Sequence, residues 1–510
     1  MYKTHFFFYL FLTLLFVSFF ACEDKYEDYS TNPNDMLAFS KDTVRFDTVL
    51  TTINSPVKQL MVYNRNNKPL LISSIVLESS ESSRFKINVD GGAGKSFQDV
   101  VIRPKDSLFV LIDVKPEPNG EILPTLFNDY IIFTINGTKQ KVLLEAYGQD
   151  VFIWEGKSIS SDTIIRDSKP FLIRDSLIIE ENATLFIEEG ICFYMDNNTR
   201  IIVKGTLKIR GSLERPVVFR GKRTDYLLSN ISYDLVPGQW NGFYFAENSF
   251  GNEMEYVYIR NGKSGLYFDT SNPEREKIRM KNTVLTNFSE YLIRSINCSI
   301  TAENCEFSNS RFALLHLMGG KYSFTHCTMA NFMLTSPQSG WAASNNETLI
   351  LSNLYQAAPA SDDDPLPDPV YYDLLQTDFT NTIIWGKNDR YSGIKLDRVE
   401  EVEFNCMFRN CIIPNKGEND DLFINCIFNQ NPLFRKTDLK DQETGNYSSI
   451  NLRLKNADEN VDASPSPAIN AADPEFSQSL PLDLDGNNRL TDGRPDMGAY
   501  EFQTNDTSPD

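Results

Sequence analysis

The feature that most constrains the fold is a short phrase that recurs in the second half of the chain. It consists of an Asn or His, then a Cys, then two further residues, and it occurs at 297–300, 304–307, 326–329, 405–408, 410–413 and 425–428. Cys305 and Cys327 are 22 residues apart, about one coil of a chain in which equivalent residues stack. We therefore predict that these cysteines point inward as small apolar fillers and that the preceding Asn stands at a turn.

Two other interpretations of the cysteines stay open. Seven of them follow Cys22: Cys192, Cys298, Cys305, Cys327, Cys406, Cys411 and Cys426. An exported protein permits disulfides, but an odd number of cysteines in repeated phrases favours buried free thiols. A metal site would favour Cys-x-x-Cys pairs, which the sequence lacks.

From about residue 151 the sequence has short strands separated by Gly and Asn. Leu177–Gly221 has this rhythm, and so does the later stretch GQWNGFYFAENSFGNEMEYVYIRNGKSGLYF. Both resemble right-handed parallel β-helix proteins of the pectin-lyase-like superfamily. The resemblance is to the repeat style and carries no catalytic motif. It implies an all-β fold with a right-handed parallel β-helix over residues 151–470.

Residues 39–150 contain about seven short strands with a turn every ten residues or so, which is typical of a β-sandwich. Asn136-Gly137 is a strong hairpin signal between two of the strands. The phrases VYNRNNKPLLISSI and VLLEAYGQD resemble immunoglobulin-like domains of the ASPM–SPD-2–hydin type. The resemblance implies an immunoglobulin-like sandwich that serves as a spacer or an interaction module.

The first residues form an export signal. Lys3 precedes an apolar run of 16 residues, Phe6–Ala21, which is too short to span a membrane comfortably. Cys22 and the residues before it resemble a lipobox, and Glu23-Asp24 resembles the export signal of Bacteroidetes surface lipoproteins. This resemblance implies a signal peptide over residues 1–21 and a lipid on Cys22 that anchors the protein to the outer membrane, at the cell surface.

An ordinary cleaved signal followed by an incidental Cys is the alternative to the lipoprotein signal. Residues 22–38 are polar and acidic, and they predict a flexible tether.

Charge excludes several partners. The chain has 69 acidic and 49 basic residues, with a net charge of −20. Nucleic-acid binding needs Lys and Arg at the phosphates, so it is not expected, and polyanionic substrates are disfavoured unless cations intervene. The three histidines, His5, His316 and His326, argue against a multi-His metal site.

The last predicted region is a C-terminal cap and tail over residues 471–510. The run SPSPAIN…DLDGN…DMGAYE within residues 464–502 resembles the C-terminal region of β-helix proteins with a choice-of-anchor Q domain. Asp483, Asp485 and Asn487 place oxygen donors at alternate positions, as Ca²⁺ loops do. Arg494 stands where an EF-hand has its bidentate Glu, which excludes an EF-hand. The alternative is that these residues satisfy backbone groups as the last coil closes, with Arg489 and Arg494 pairing the acids.

No local motif marks catalysis. Trp240, Trp341 and Trp385 are candidates for stacking on a sugar, although the repeat phrase around Trp240 favours a structural role. The acidic loop 357–369, with Asp362-Asp363-Asp364 and the nearby Tyr371 and Tyr372, is either a solvated projection or a site for Ca²⁺ or a sugar.

Two functions remain. The first is non-catalytic binding of a glycan or a partner protein by a surface lipoprotein, and it is the favoured one. The second is a polysaccharide lyase or glycoside hydrolase built on the β-helix. An enzyme predicts two or three acids, or an acid with a Lys or Arg, converging in a groove on the parallel sheet.

Overall fold

The computed structural model describes residues 28–166, 168–228, 230–333, 347–359, 361, 364–386, 393–441, 443–455 and 464–503. Cys22, the predicted signal, Trp341, Asp362 and Asp363 lie outside the described residues. One compact unit comprises the described residues up to Pro118 together with Pro124–Gln149. The other comprises Asn119–Leu123 and the described residues from Asp150 onward. Among the described residues, no helix has the length and apolar character needed to cross a membrane.

The first unit is a β-sandwich, as predicted. Each sheet has five strands within residues 28–149, all of which are described. One sheet has the order Ala38–Phe39, Lys58–Tyr63, Ser107–Val114, Phe85–Val89 and Gly92–Gly94. The other has the order Thr43–Leu50, Thr138–Gln149, Thr125–Ile135, Leu70–Leu77 and Ser96–Ile102. A short 3₁₀ turn lies at Ser80–Ser82.

Alternating burial explains why these segments form strands. In Ser107–Val114 every second side chain is buried, because strand side chains point to opposite faces. Asn136 and Gly137 both have positive φ, 47° and 77°, and they make the predicted hairpin turn. The expected tether ends early: Ser30 donates its N–H to Pro69 O at 2.9 Å, and Leu37 is buried. Burial of Leu37 attaches this stretch to the sandwich.

The second unit is a parallel β-helix of 26 described strands arranged in three parallel ladders, and it confirms the predicted fold class. We call the three sides face A, face B and face C, in the order in which each coil visits them.

Face A contains Arg200–Val203, Phe243–Phe245, Leu266–Phe268, Glu347–Ser352 and Gly393–Asp397. Face B contains Thr163–Ile165, Thr184–Glu188, Thr206–Arg210, Asn252–Glu255, Ile278–Lys281, Leu374–Thr380, Met407–Arg409 and Phe423–Ile424. Face C contains Cys192–Met195, Val217–Gly221, Val257–Arg260, Val284–Phe288, Glu306–Ser310, Thr328–Asn331, Ile383–Gly386, Ile412–Ile413 and Ile427–Phe428. Four longer strands continue from one face to the next: Phe152–Ile159, Phe171–Ile179, Ile293–Glu303 and Leu315–Thr325.

Like residues stack inside the coils, as the repeat phrase predicted. Phe379 and Phe408 stack with ring centroids 4.8 Å apart. Cys305 and Cys327 are fully buried in the core, and the N–H of Thr328 donates to Cys305 O at 2.9 Å. The two cysteines therefore occupy neighbouring coils.

All seven described cysteines are free, which fits the interpretation as free thiols. Five of them are buried, whereas Cys192 and Cys406 are only half-buried.

One residue in each coil forms the turn from face B to face C. In the repeated phrases it is the Asn or His that precedes the buried Cys, as in Asn304-Cys305 and His326-Cys327. Its backbone is left-handed at Asn282, Asn304, His326, Asn381, Asn410 and Asn425, with φ between 49° and 52°. Asn adopts this conformation more readily than most residues. The prediction that Asn stands at a turn is confirmed.

The ladders end at Phe428, before the expected boundary at residue 470. The stretch after the ladders, which we call the C-terminal segment (the described residues of 434–503), contains the antiparallel pair Phe434–Lys436 and Asn451–Leu454 and a short helix, Pro474–Ser477. This segment packs along the outside of face C instead of closing the last coil. Its Leu484, Met497 and Ala499 form an apolar cluster with the outward side chains of Ile383 and Ile412. Burial of these outward apolar residues is the physical reason for this placement.

Candidate functional site

A cavity of about 340 Å³ lies on the outer side of face C, beside the C-terminal segment. We call it the side pocket. Its lining comes from three strands of face C, from the chain between faces C and A, and from the C-terminal segment: Ser232, Asp234, Leu235, Arg260, Thr286, Asn287, Glu306, Asn309, Met333, Leu439, Tyr447, Ser448, Ser449 and Ile450.

Two excursions from the coils build the walls of the side pocket. The first leaves face C after Gly221 and contains the antiparallel strands Tyr226–Leu228 and Ile231–Ser232, followed by a 3₁₀ turn at Tyr233–Leu235. The second is the loop between the two strands of the C-terminal segment. Asn230 ties them together, since its side-chain amide donates to Gly445 O at 2.9 Å and its backbone O accepts from Tyr447 N at 3.1 Å.

Opposite charges meet at the first wall. Asp234 is the second residue of the 3₁₀ turn, and its N–H donates to the hydroxyl of Ser232, which caps the turn. An Asp234 Oδ1–Arg220 Nη2 distance of 2.6 Å and a longer one of 3.6 Å to Arg260 Nη2 make a bridge between two arginines. Burial lowers the pKa of Arg260. The bridge fixes the guanidinium of Arg260 at the pocket wall.

Glu306 occupies the floor where face C meets the C-terminal segment. Its carboxylate accepts hydrogen bonds from the hydroxyls of Ser308 at 2.7 Å and Tyr500 at 2.5 Å. Burial raises the pKa of Glu306, although both hydroxyl donors oppose the shift. The side chain therefore holds a proton at a higher pH than an exposed Glu would.

The remaining lining combines hydroxyl and amide groups with an apolar patch. Thr286, Asn287 and Asn309 supply polar groups, whereas Met333 and Ile450 are apolar. Ligand sites commonly combine an apolar surface with a few convergent polar groups. An acid and an arginine converge here on the outside of the parallel sheet, which is the arrangement that an enzyme predicts.

The two described tryptophan candidates, Trp240 and Trp385, do not line the side pocket. Trp240 is fully buried, and its indole N–H donates to Arg260 O at 2.9 Å, so its role is structural. Trp385 is half-buried and packs against the apolar cluster under the C-terminal segment.

Of the three predicted calcium ligands, Asp483 and Asn487 contact each other, whereas Asp485 has a different partner. Asp483 is buried and accepts from the N–H groups of Asn487 and Glu501 at 2.6 and 2.7 Å. Asp485 instead forms a bidentate pair with Arg453 at 2.6 and 2.7 Å. Arg489 pairs with Glu501 at 3.4 Å. In the described part of the chain, no group of three His, Cys, Asp or Glu is arranged to hold a metal. Calcium binding stays a prediction.

The acidic loop projects from the coils, as expected of a solvated loop. It connects the antiparallel strands Leu354–Tyr355 and Val370–Tyr371, and Asp364 is exposed. The two described histidines lie apart: His316 is on face A, and His326 is buried in the turn column between faces B and C. They form no shared metal site.

Sequence reasoning missed the residues of the side pocket because they are far apart in the chain. Asp234 and Tyr447 belong to different excursions, and neither excursion has a repeat. A signal existed for Glu306: it is an acid at a position whose neighbours on adjacent coils, Val284 and Thr328, carry no charge. Only the register of the coils makes that exception visible.

Comparison with known proteins assigns no family. No protein-family model matches the chain, and no curated protein sequence matches it.

Three solved structures show a remote likeness. A family 123 glycoside hydrolase from Clostridium perfringens is 12% identical, with 22% of this chain and 26% of that chain covered and a TM-score of 0.16. VesB protease from Vibrio cholerae is 11% identical, with 22% and 32% covered and a TM-score of 0.16. The catalytic domain of a GH87 α-1,3-glucanase in complex with tetrasaccharides is 9% identical, with 72% and 87% covered and a TM-score of 0.23. The chain thus spans a third or less of the first two proteins, and at these TM-scores the fold assignment rests on strand pairing alone.

Proposed function

We propose that this protein binds glycans at the side pocket without cleaving them, and that a lipid on Cys22 holds it at the outer membrane, on the cell surface. The observation that carries the binding proposal is the lining of the pocket: hydroxyl, amide and charged groups beside an apolar patch. A sugar ring presents hydroxyls at its edge and C–H groups on its faces, so it needs both kinds of wall.

The charges of the pocket favour a neutral sugar there. Two acids of the lining, Asp234 and Glu306, balance the formal charges of Arg260 and the neighbouring Arg220. The volume of about 340 Å³ lies at the lower end of the usual range for ligand sites. This size suits one or two sugar units.

Titration calorimetry of the full-length chain against neutral mono- and oligosaccharides, with and without Ca²⁺, tests the proposal. We expect Thr286→Val to weaken the binding that is found by about 3–10-fold, because a hydroxyl that forms a hydrogen bond to a ligand typically contributes on the order of 1 kcal/mol. Thr301→Val on face B is the matched control and leaves the affinity unchanged. Equal affinities for the two variants, or a partner protein as the only ligand, would refute the assignment.

Catalysis is the second candidate, favoured by the presence of Asp234 and Glu306 in one pocket. A glycoside hydrolase uses one carboxylic acid as a proton donor and a second carboxylate as base or nucleophile, and Glu306 has the raised pKa of a proton donor. Release of reducing or unsaturated ends by the wild-type chain, abolished by Glu306→Gln, would replace the binding proposal with an enzymatic one. Unchanged glycan chains after long incubation support binding alone.

The anchor has its own test. Cys22→Ala removes the thiol that would carry the lipid, so we expect surface labelling of intact cells to be lost while the soluble protein accumulates. Unchanged surface labelling would contradict the lipoprotein assignment.

A further inference from the structure

Arg294 of face A lies in a setting different from that of several cations of face B. On face B, Lys208 and Arg210 both contact Glu253 of the neighbouring coil, at 2.7 and 3.3 Å, and Arg279 pairs with Glu276 of its own coil at 3.0 Å. On face A, Arg294 forms no ion pair with a described carboxylate.

Aromatic rings surround Arg294 instead. Tyr244, Tyr267, Arg294 and His316 occupy one outward column on four successive coils, which we call the tyrosine strip. The guanidinium lies 5.7 Å from the ring centroid of Tyr267 and 5.9 Å from that of Tyr355. Tyr244 and Tyr267 stack with centroids 5.6 Å apart. The strip is therefore a row of flat rings that holds one cation in place.

Hydrogen-bonding groups of the strip are left without partners in the described structure. Arg294 Nε and His316 Nδ1 are buried atoms that make no hydrogen bond to a described residue. A buried donor or acceptor without a partner is destabilising. The nearby acids are already engaged: Asp269 accepts from the hydroxyl of Tyr244 at 2.6 Å, and Asp397 pairs with Lys395 at 3.1 Å. A bound ligand would supply the missing partners.

The net charge restricts what that ligand is. A densely charged polymer would be repelled by a chain with a net charge of −20, whereas repulsion of a single charge is screened beyond about 8 Å at physiological ionic strength. Guanidinium groups bind carboxylates and sulfates through paired N–H donors, and tyrosine rings pack against sugar faces. The strip therefore matches a sugar that carries one acidic group.

We propose that the tyrosine strip is a second glycan site, separate from the side pocket, and that it takes an oligosaccharide bearing one carboxylate or sulfate. Arg294 holds the acidic group, Tyr267 and Tyr355 pack beside the sugar, and His316 completes the hydrogen bonds. This site does not depend on the side pocket.

Titration of the full-length chain with matched pairs of probes tests the proposal. The first pair is sialyllactose and lactose, which differ by a sugar that bears a carboxylate. The second pair is N-acetylglucosamine 6-sulfate and N-acetylglucosamine, which differ by a sulfate. We expect binding of at least one acidic probe and at least tenfold weaker binding of its neutral counterpart. Arg294→Gln reduces affinity for the acidic probe at least tenfold, and the Arg279→Gln control on face B leaves it unchanged.

His316→Glu covers the case in which Arg294→Gln folds poorly. It places a carboxylate next to Arg294 on the adjacent coil, which makes the strip resemble face B, and it reduces affinity for the acidic probe by a similar factor. Thr286→Val in the side pocket leaves the affinity for the acidic probe unchanged. The proposals for the two sites can therefore be refuted independently of each other. Equal binding of acidic and neutral probes, no binding of either acidic probe, or indifference to Arg294→Gln would overturn the proposal.

Discussion

Face B and the covered face C use charged side chains in opposite ways. On face B, Lys208 and Glu253 pair while each side chain keeps about a third of its area exposed, 32% and 36%. Arg489 of the C-terminal segment, which faces the coils, has no exposed area, and its guanidinium donates to Gly498 O at 3.0 Å and to Asn304 Oδ1 at 3.2 Å. The contribution of a charged group to the free energy of unfolding therefore depends on how deeply the group is buried, and the presence of an ion pair alone does not predict it.

Removing the buried arginine gives the largest expected effect. Arg489→Ala leaves the buried oxygens of Gly498 and Asn304 without their donor and removes the positive charge beside the buried acids Asp483 and Asp496. We therefore expect the second unit to lose about 3–5 kcal/mol of unfolding free energy. Hydrogen exchange of amides in the C-terminal segment and in face C measures this loss locally. Arg494→Ala, at an exposed position of the same segment, is the control and changes stability by less than about 0.5 kcal/mol. Equal losses of unfolding free energy in the two variants would contradict the contrast between buried and exposed charges.

The buried acids give an intermediate effect that depends on pH. Burial raises the pKa of Glu501 to about 8, with the neighbouring Asp496 adding to the shift. An acid with a raised folded-state pKa keeps its proton while the unfolded chain has lost it. The stability it confers is complete below its unfolded value of about 4.5 and is lost as pH rises through about 8.

The measurement compares the wild type with Glu501→Gln between pH 6 and pH 9, so that titration of the distant groups Lys277 and His316 cancels. Burial also raises the pKa of the neighbouring Asp496, to about 6, so the difference belongs to the pair of acids. We expect the wild type to lose on the order of 2 kcal/mol relative to the variant over that interval. Parallel pH profiles of the two proteins would show that Glu501 does not titrate in the folded state.

The surface pair gives the smallest effect. Glu253→Gln removes the partner of Lys208 and Arg210, and because these groups are partly exposed we expect a loss of about 0.5 kcal/mol. Added salt should shrink the difference between variant and wild type, since screening weakens exposed pairs. A double-mutant cycle with Lys208→Met isolates the energy of the Lys208–Glu253 pair. A coupling energy as large as the loss expected for Arg489→Ala would contradict the contrast between exposed and buried charges.

Much of the scaffold could be predicted from the sequence because its signals are local or periodic. The Asn-Cys phrases indicated the inward column and the turn column, and Asn136-Gly137 indicated the hairpin. The course of the C-terminal segment was not predictable in this way. Its packing depends on outward apolar residues such as Ile383 and Ile412. Both faces of these strands are buried and apolar, so the sequence pattern does not show which side chains point inward and which point outward.

The sites were less predictable than the scaffold. Arg260 and Glu306 come together with Asp234 only after the register of the coils is known, and Tyr447 joins them from the far end of the chain. The tyrosine strip is spaced irregularly in sequence, since Tyr244 and Tyr267 are closer to each other than Tyr267 is to Arg294. Conversely, the alternating acids Asp483 and Asp485 formed a visible pattern, although the fold sends their carboxylates to different partners.

The excursions leave the coils and return without disturbing the ladders. After the detour that carries Asp234, Tyr244 pairs with Ile202 as though nothing had been inserted, and Ile384 pairs with Met329 after a longer interruption. The pairing of the coils is therefore independent of the loops that leave them. Loops of other lengths and chemistries can be grafted at the same points, so relatives with an identical frame are free to differ in what they capture.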